Sequence, residues 1–179
     1  MAVDLIGTHR GEWRPEDLGD LPENARYEIV DGSLLVSPRP VSGHARVVMR
    51  LLLAIGAALP TDLEVLADVE IGMGRTARSP DLLVVPVLPS RKSFDPADVL
   101  LAVEVESPSS LSQDRILKPH EYARAGIPGF WRVELEPRVR FIAYVLRDGA
   151  YEVVADATSG TVQIAAPFPV TIDVTAVGA

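Results

Sequence analysis

Two short apolar runs, residues 81–87 and 99–105, constrain the fold of this chain most strongly. Both are rich in leucine and valine, and such runs are typical of strands that other elements cover on both faces. Asp81 begins the first run, and Glu104 lies near the end of the second. Because a buried carboxylate is costly unless a cation or hydrogen bonds compensate it, these two residues indicate a metal site or a proton-transfer site.

The rest of the chain alternates between β-rich segments and two segments with helical spacing. Apolar residues recur at helical spacing from Ser42 until Pro60 ends the segment, and we expect a second helix at 109–125. The dipeptides Asp31-Gly32 and Asp148-Gly149 favour the positive φ angles of two-residue hairpin turns. The remaining predicted strands and hairpins are 27–36, 63–71, 130–135, 139–155, 161–165 and 170–174.

This order of elements predicts an α/β fold with a mixed central β-sheet, α-helices on its faces and β-hairpins at both ends. The chain has 179 residues, of which 47% are hydrophobic and 23% are charged, as is ordinary for one globular domain. We therefore expect a single domain over residues 1–179, with a core at about 24–135 and a β-rich C-terminal extension at 139–175.

Composition limits the kind of metal that the chain could bind. It has no cysteine, and its three histidines, His9, His44 and His120, do not have the spacing of zinc ligands. Any metal would therefore have oxygen ligands, which favours Mg²⁺ or Mn²⁺.

Composition also bears on compartment and partners. No secretory signal begins the chain and no apolar stretch is long enough to span a bilayer, so we expect a cytoplasmic protein without a membrane partner. The formal net charge of −8 argues against extensive nonspecific contact with nucleic acid, although a bound cation and a local basic face can override it.

Asp81 and Glu104 would share one rim of the sheet if their strands are antiparallel neighbours. A divalent cation between them would then replace their lost hydration. The alternative is that Asp81 is a strand-end residue in solvent, as is common for a Pro-Asp pair. Strand alternation places Glu104 and Glu106 on the same face, and two like charges there indicate a cation or solvent.

Several motifs in the chain resemble a known family. The segments PDLLVV, VEVESPSS and DRILKPHEYARAGIPGFWRVE, with YEIVDGSLLVSPRP upstream, are similar to the Uma-type family of restriction endonucleases, within the PD-(D/E)XK nuclease superfamily. The similarity extends over about residues 27–134. It implies a restriction-endonuclease-like core with a magnesium-dependent site that acts on DNA.

The resemblance also implies roles for individual residues. Asp81 corresponds to the aspartate of the PD motif, and Glu104 corresponds to the acidic residue of (D/E)XK. Glu28 corresponds to an upstream acidic residue that completes the metal site. The lysine of the motif is absent, because Glu106 stands two residues after Glu104. The resemblance implies that Lys118 on the following helix replaces this lysine and orients or activates the attacking water.

Four further residues are candidates for accessory roles. Helical spacing puts Asp114 and Tyr122 on the same face as Lys118, and the alternative for both is a surface ion pair with a packed aromatic ring. His44 could contact phosphate or act as an accessory base, or it could be a polar residue in the first turn of a helix. Glu106 could be a further metal ligand, or it could weaken the site by adding negative charge where a phosphate must approach.

Three functions stay open at this point. The first is a metal-dependent endonuclease with DNA as its partner, and the second is a noncatalytic binding or regulatory module with the nuclease fold. The third is a small-molecule hydrolase that uses the same metal chemistry. A nuclease that cuts both strands commonly acts as a homodimer, and the apolar β-rich tail from Phe141 onward would supply the interface.

Overall fold

The computed structural model describes residues 9, 11–21, 25–37, 40–106 and 113–179, and these form three β-sheets with helices packed against them. The helices are α1 (Ser42–Ala58), α2 (Lys118–Arg124) and α3 (Val174–Gly178). A 3-10 helix, Pro15–Asp20, precedes the first strand, and a π-helical turn, Gln113–Leu117, leads into α2. The strands are β1 (Arg26–Val30), β2 (Ser33–Ser37), β3 (Leu63–Ala67), β4 (Glu70–Met73), β5 (Thr76–Arg78), β6 (Leu82–Pro86), β7 (Ser93–Phe94), β8 (Leu101–Val105), β9 (Gly129–Glu134), β10 (Arg140–Arg147), β11 (Ala150–Ala157), β12 (Thr161–Ile164) and β13 (Val170–Asp173).

The central sheet has six strands in the order β11-β10-β9-β8-β6-β3. β8 and β9 are parallel and the other neighbours are antiparallel, so the sheet is mixed, as the sequence predicts. The two apolar runs form β6 and β8, and nearly all of their residues are buried. This burial on both faces confirms that they are central strands.

The smaller sheet has five strands in the order β2-β1-β5-β4-β7 and contains the predicted N-terminal hairpin. The prediction of one strand over 63–71 is wrong. The chain there makes two strands, β3 in the central sheet and β4 in the smaller sheet. Asp68 lies between them with φ of 55°, a left-handed conformation that aspartate tolerates and that turns the chain from one sheet to the other.

One face of the central sheet is covered by α1. Its residues Val47, Leu51 and Ile55 recur every four positions and are buried against β6, β8 and β9. The β12–β13 hairpin and α3 extend this core, in which Phe141, Phe168 and other tail residues are buried. Most of the large apolar side chains of this tail pack inside the chain, but Val153 and Val154 on β11 are 56% and 41% exposed, and the dimer interface stays a prediction.

The other face of the central sheet packs against α2 and the smaller sheet. Leu83 and Phe130 of the central sheet meet Tyr122 of α2, together with Ile71 and Phe94 of the smaller sheet. These apolar contacts bring the first residues of α2 to the rim where β6 begins and β8 ends. Within the described ranges, no helix is both long enough and apolar enough to cross a membrane.

Candidate active site

Two carboxylates lie at the rim of the central sheet. β6 and β8 are antiparallel neighbours with Leu82 opposite Val103, so Asp81 at the start of β6 lies across from Glu104 in β8. The side chains are only 6% and 2% exposed. The sequence-based prediction of antiparallel neighbours is confirmed, and the alternative of a solvent-facing Asp81 is wrong.

Asp81 is surrounded by donors. The backbone amide of Val105 donates to its Oδ2 at 2.7 Å, and Arg26 Nη1 donates to its Oδ1 at 2.9 Å. His44 Nε2 lies 3.2 Å from Oδ2. Burial alone would raise the pKa of Asp81, but the hydrogen bond from His44 and the charge of Arg26 outweigh burial and lower the pKa from 3.8 to about 2. Asp81 is therefore ionised at neutral pH.

Glu104 is bound on both oxygens by residues of α2. Lys118 Nζ donates to its Oε2 at 2.8 Å, and the Tyr122 hydroxyl donates to its Oε1 at 2.8 Å. Burial raises the pKa of Glu104 from 4.5 to about 8, and the negative charges of Asp114 and Asp81 act in the same direction against Lys118. Burial and these negative charges together therefore outweigh the stabilisation that Lys118 gives to the carboxylate.

Lys118 lies among three carboxylates. Besides Glu104, its Nζ is 3.1 Å from Asp114 Oδ1 and 3.5 Å from Glu28 Oε1. Burial alone would lower the pKa of Lys118, but these carboxylates outweigh burial and raise it. Lys118 is therefore protonated at neutral pH, and the π-helical turn before α2 holds Asp114 at contact distance from it.

The predicted face of Asp114, Lys118 and Tyr122 is confirmed as a geometric feature. All three side chains are buried and point to the rim of the sheet, so the alternative of a surface ion pair is wrong. The described part of the predicted 109–125 helix starts with the π-helical turn at Gln113, and residues 109–112 lie outside the described residues.

His44 lies in the first turn of α1 and points into this cluster. Its Nε2 is 2.9 Å from the carbonyl oxygen of Val105 as well as 3.2 Å from Asp81. Since both neighbours accept, Nε2 carries the proton. Burial alone would lower the pKa of His44, but Asp81 outweighs burial and raises it. The side chain therefore binds Asp81 and does more than begin a helix.

Sequence reasoning missed two arginines and a glutamate that hold the cluster together. Arg78 is fully buried, and its Nη1 donates to Glu28 Oε2 at 3.0 Å while its Nε donates to Glu121 Oε2 at 2.7 Å. Burial alone would raise the pKa of Glu28, but Lys118 and Arg78 outweigh burial and lower it.

Arg26, the second arginine, binds Asp81. Its position two residues before Glu28 on β1 was the available signal, because alternation puts both on one face.

Glu106 is bound by two other arginines. Arg115 Nε and Nη2 donate to its two oxygens at 2.9 and 2.8 Å, and Arg132 Nε lies 3.1 Å from Oε1. Its negative charge is therefore compensated within the chain. Arg115 and Arg132 thus give Glu106 a structural role that the sequence did not reveal.

The candidate metal ligands have the chemistry that a hard divalent cation requires. Among the described residues, no three histidine, aspartate or glutamate side chains are close enough to form a ready ligand cluster. However, the candidate ligands Glu28, Asp81 and Glu104 supply only oxygen atoms, and burial, together with an excess of negative charge from Asp114 and Asp81, raises the pKa of Glu104 despite Lys118. Mg²⁺ and Mn²⁺ prefer oxygen ligands, and either would relieve this excess.

The fold is similar to that of a solved structure. A crystal structure titled as a "putative nuclease belonging to DUF820 from Anabaena variabilis ATCC 29413" superimposes with a TM-score of 0.69 and 15% sequence identity. The match covers 87% of this chain and 89% of that chain. At this identity the similarity establishes the fold, and it agrees with the predicted nuclease-type α/β architecture.

Sequence comparison gives the family. None of the curated proteins shows a significant match to this chain. The Uma2 family, described as "Putative restriction endonuclease", matches residues 15–176. This range includes Glu28, Asp81, Glu104 and Lys118, and it extends beyond the predicted core into the C-terminal strands. Because the match spans most of the chain, the protein belongs to the Uma2 family.

Proposed function

We propose that the protein is a divalent-metal-dependent endonuclease that hydrolyses phosphodiester bonds of DNA. The observation that carries this proposal is the buried pair of Asp81 and Glu104 on adjacent strands, with Lys118 2.8 Å from Glu104. Burying several charges together is costly for a fold, and replacing a whole buried ion pair by well-packed apolar residues is often neutral or stabilising. Function is a reason to retain the buried charges here, and the family relationship indicates nuclease chemistry.

Asp81 and Glu104 are the proposed metal ligands, and Glu28 completes the set. When bound, Mg²⁺ or Mn²⁺ supplies a Lewis acid that polarises the phosphodiester and lowers the pKa of the attacking water. Asp81 is ionised at neutral pH because its pKa is held at about 2. We expect the negative charges of Asp114 and Asp81 near Glu104 to favour binding of a cation at this rim.

Lys118 is proposed to act as a charged donor. Since its pKa is raised above the ordinary value, the ammonium group keeps its proton and does not serve as the base. It would orient the attacking water and offset negative charge on the phosphorus centre while the bond to the leaving oxygen breaks. Arg26 and Arg78 would act as positioning residues, because they hold the carboxylates of Asp81 and Glu28.

A noncatalytic module is the second candidate. The observation that favours it is that Glu28, Asp81 and Glu104 are each bound to a cationic side chain within the protein. These ion pairs can compensate the buried negative charges without a bound metal. A homodimer is part of the endonuclease proposal, since cutting both strands of a duplex takes two sites.

Metal titration and cleavage on the same samples test the proposal. We expect calorimetry to show Mg²⁺ and Mn²⁺ binding to the wild type, which also nicks supercoiled plasmid. The Asp81→Asn/Glu104→Gln double variant should lose both activities. Lys118→Ala should keep metal binding and lose nicking by about 100-fold or more. Glu152→Gln, which changes an exposed carboxylate on β11, is the matched control and should behave like the wild type.

Each other outcome has a definite meaning. Metal binding by the wild type without nicking of any DNA would favour the noncatalytic module. Cleavage of small phosphodiesters but not of DNA would favour the small-molecule hydrolase. Wild-type rates in Lys118→Ala would overturn the role of that lysine, and absence of both binding and nicking in the wild type would overturn the endonuclease.

A further inference from the structure

A cleft of about 580 Å³ opens beside the site, between α2 and the β4–β5 turn of the smaller sheet. Its volume falls within the range of about 300–1,000 Å³ that is usual for small-ligand pockets. Met73, Pro96 and Leu117 give it an apolar lining, and His120 and Arg124 of α2 also line it. An apolar surface with a cationic edge suits a group that carries both a flat or apolar part and a negative charge.

The charges in the cleft are unequally compensated. Arg75 is paired with Glu12 at 2.7 Å and with Asp31 at 3.0 Å, so its charge is already used. Glu121 is paired with the buried Arg78 behind it. In the part of the chain that the structure describes, Arg124 has no ion-pair partner, and it is exposed to solvent. A free arginine in a cleft of a chain with net charge −8 is an attractive contact for an anion.

The cleft and the candidate active site lie on two adjoining faces of α2. Lys118 and Tyr122 face inward and bind Glu104, whereas Leu117 and Arg124 lie on the adjacent face and line the cleft. Glu121 lies between the two faces, because it lines the cleft and also binds Arg78 of the buried cluster. Because a helix rises about 1.5 Å per residue, Arg124 lies about 9 Å along α2 from Lys118, so a strand that follows α2 from Lys118 reaches the cleft with its next unit.

We propose that this cleft binds the nucleotide next to the cleaved phosphodiester. Arg124 and His120 hold the phosphate of that nucleotide, and its sugar or base rests on Met73, Pro96 and Leu117. The inference rests on the proposed function, since it assumes a nucleic-acid substrate at Lys118. It adds a direction for the bound strand, along α2 from Lys118 towards Arg124.

Salt-dependent DNA binding tests the proposal independently of cleavage. The probe is a fluorescent DNA oligonucleotide, and its affinity is measured by anisotropy at several salt concentrations in an Asp81→Asn background, which prevents cutting. We expect Arg124→Ala to weaken binding about tenfold and to reduce the slope of log affinity against log salt by about one. Arg138→Ala is the matched control, because Arg138 is likewise exposed and has no ion pair within the described ranges.

The absence of cysteine allows a second measurement of position. A single cysteine introduced as Leu117→Cys lies in the cleft, and Val153→Cys places one on β11, where Val153 is 56% exposed. We expect bound oligonucleotide to slow alkylation of the first cysteine several-fold and to leave the second unchanged.

The outcomes separate this inference from the proposed function. If the parent chain binds DNA but Arg124→Ala matches Arg138→Ala in affinity and slope, the cleft proposal is wrong and the endonuclease proposal stands. Equal alkylation of Leu117→Cys with and without bound DNA has the same meaning. If neither the wild type nor the parent chain binds DNA at any salt concentration, both proposals fail together.

Discussion

Two groups of ion pairs in this molecule have nearly the same geometry and very different surroundings. In the buried cluster, Arg78 Nε lies 2.7 Å from Glu121 Oε2, and the Arg78 side chain has no solvent exposure. On the β10–β11 hairpin, Arg140 Nε donates to Asp156 Oδ1 at 2.8 Å, but both side chains are at least 40% exposed. Distance alone therefore does not distinguish a pair that the fold requires from one that it does not.

The difference shows where a charge change has consequences. Water solvates the exposed pair after either partner is removed, so losing the pair costs little. In the cluster, removing one charge leaves its partner buried and uncompensated, which costs far more than the pair contributes. We therefore expect the cluster to control both stability and activity, whereas the hairpin pairs control neither.

The largest effect is expected from Arg78→Met. This change removes a fully buried guanidinium that donates to both Glu28 and Glu121. We expect the free energy of unfolding, measured by urea denaturation, to fall by about 3–5 kcal/mol. Arg147→Met removes a pair with Glu152 on the hairpin and should change it by no more than about 0.5 kcal/mol.

Equal losses in Arg78→Met and Arg147→Met would break the comparison. They would mean that Glu28 and Glu121 take up protons or water without cost once Arg78 is absent. Urea curves of the two variants at the same pH give this answer directly, because the slope of each curve also reports whether the native state has loosened.

A pH titration of Glu104→Gln in metal-free buffer is expected to show the next largest effect. The pKa of Glu104 is raised by burial from 4.5 to about 8, so between these pH values the folded chain holds a proton that the unfolded chain has lost. Stability of the wild type therefore falls as pH rises through this window. Glutamine does not titrate, so the variant should gain stability relative to the wild type by up to roughly 5 kcal/mol from pH 4.5 to 8.

The matched control for this titration is Glu152→Gln on the hairpin. Its carboxylate is 59% exposed, so its difference curve against the wild type should be flat over the same window. A flat curve for Glu104→Gln as well would contradict the raised pKa and would mean that Lys118 compensates the carboxylate fully. Loss of nicking in Glu104→Gln at a pH where the variant is folded would show that this residue is needed for activity.

Much of the central fold was predictable because its signals are local. The Asp31-Gly32 and Asp148-Gly149 turns lie where positive φ is needed, and Asp31, Gly32, Asp148 and Gly149 all adopt it. The apolar runs gave β6 and β8. The break at Asp68 was not predictable, because alternation continues on both sides of it and the two strands differ only in the sheet that they join.

The carboxylates of the candidate site and Lys118 were predicted, but the arginines that bind these carboxylates were not. Asp81 and Glu104 stand out inside apolar runs, whereas Arg26 and Arg78 look like ordinary polar residues beside strands. Arg26 binds a carboxylate 55 positions away, and Arg78 binds one 50 positions away. The partners of Glu106 were not predictable either. Glu106 resembled an excess charge, but Arg115 and Arg132 reach it only in the folded chain.

The smallest effect is expected from Asp156→Asn, and it tests the exposed side of the comparison. A hydrogen bond from Arg140 lowers the pKa of Asp156 below its ordinary value of 3.8. The pair therefore contributes its full stabilisation at pH values above 3.8, and this contribution is lost as pH falls through the lowered pKa. Because both side chains are well exposed, we expect urea curves of the variant and the wild type to coincide within error at pH 7. A loss that approaches that of Arg78→Met would mean that hydrogen-bond geometry outweighs burial, and the distinction between the two groups of ion pairs would have to be abandoned.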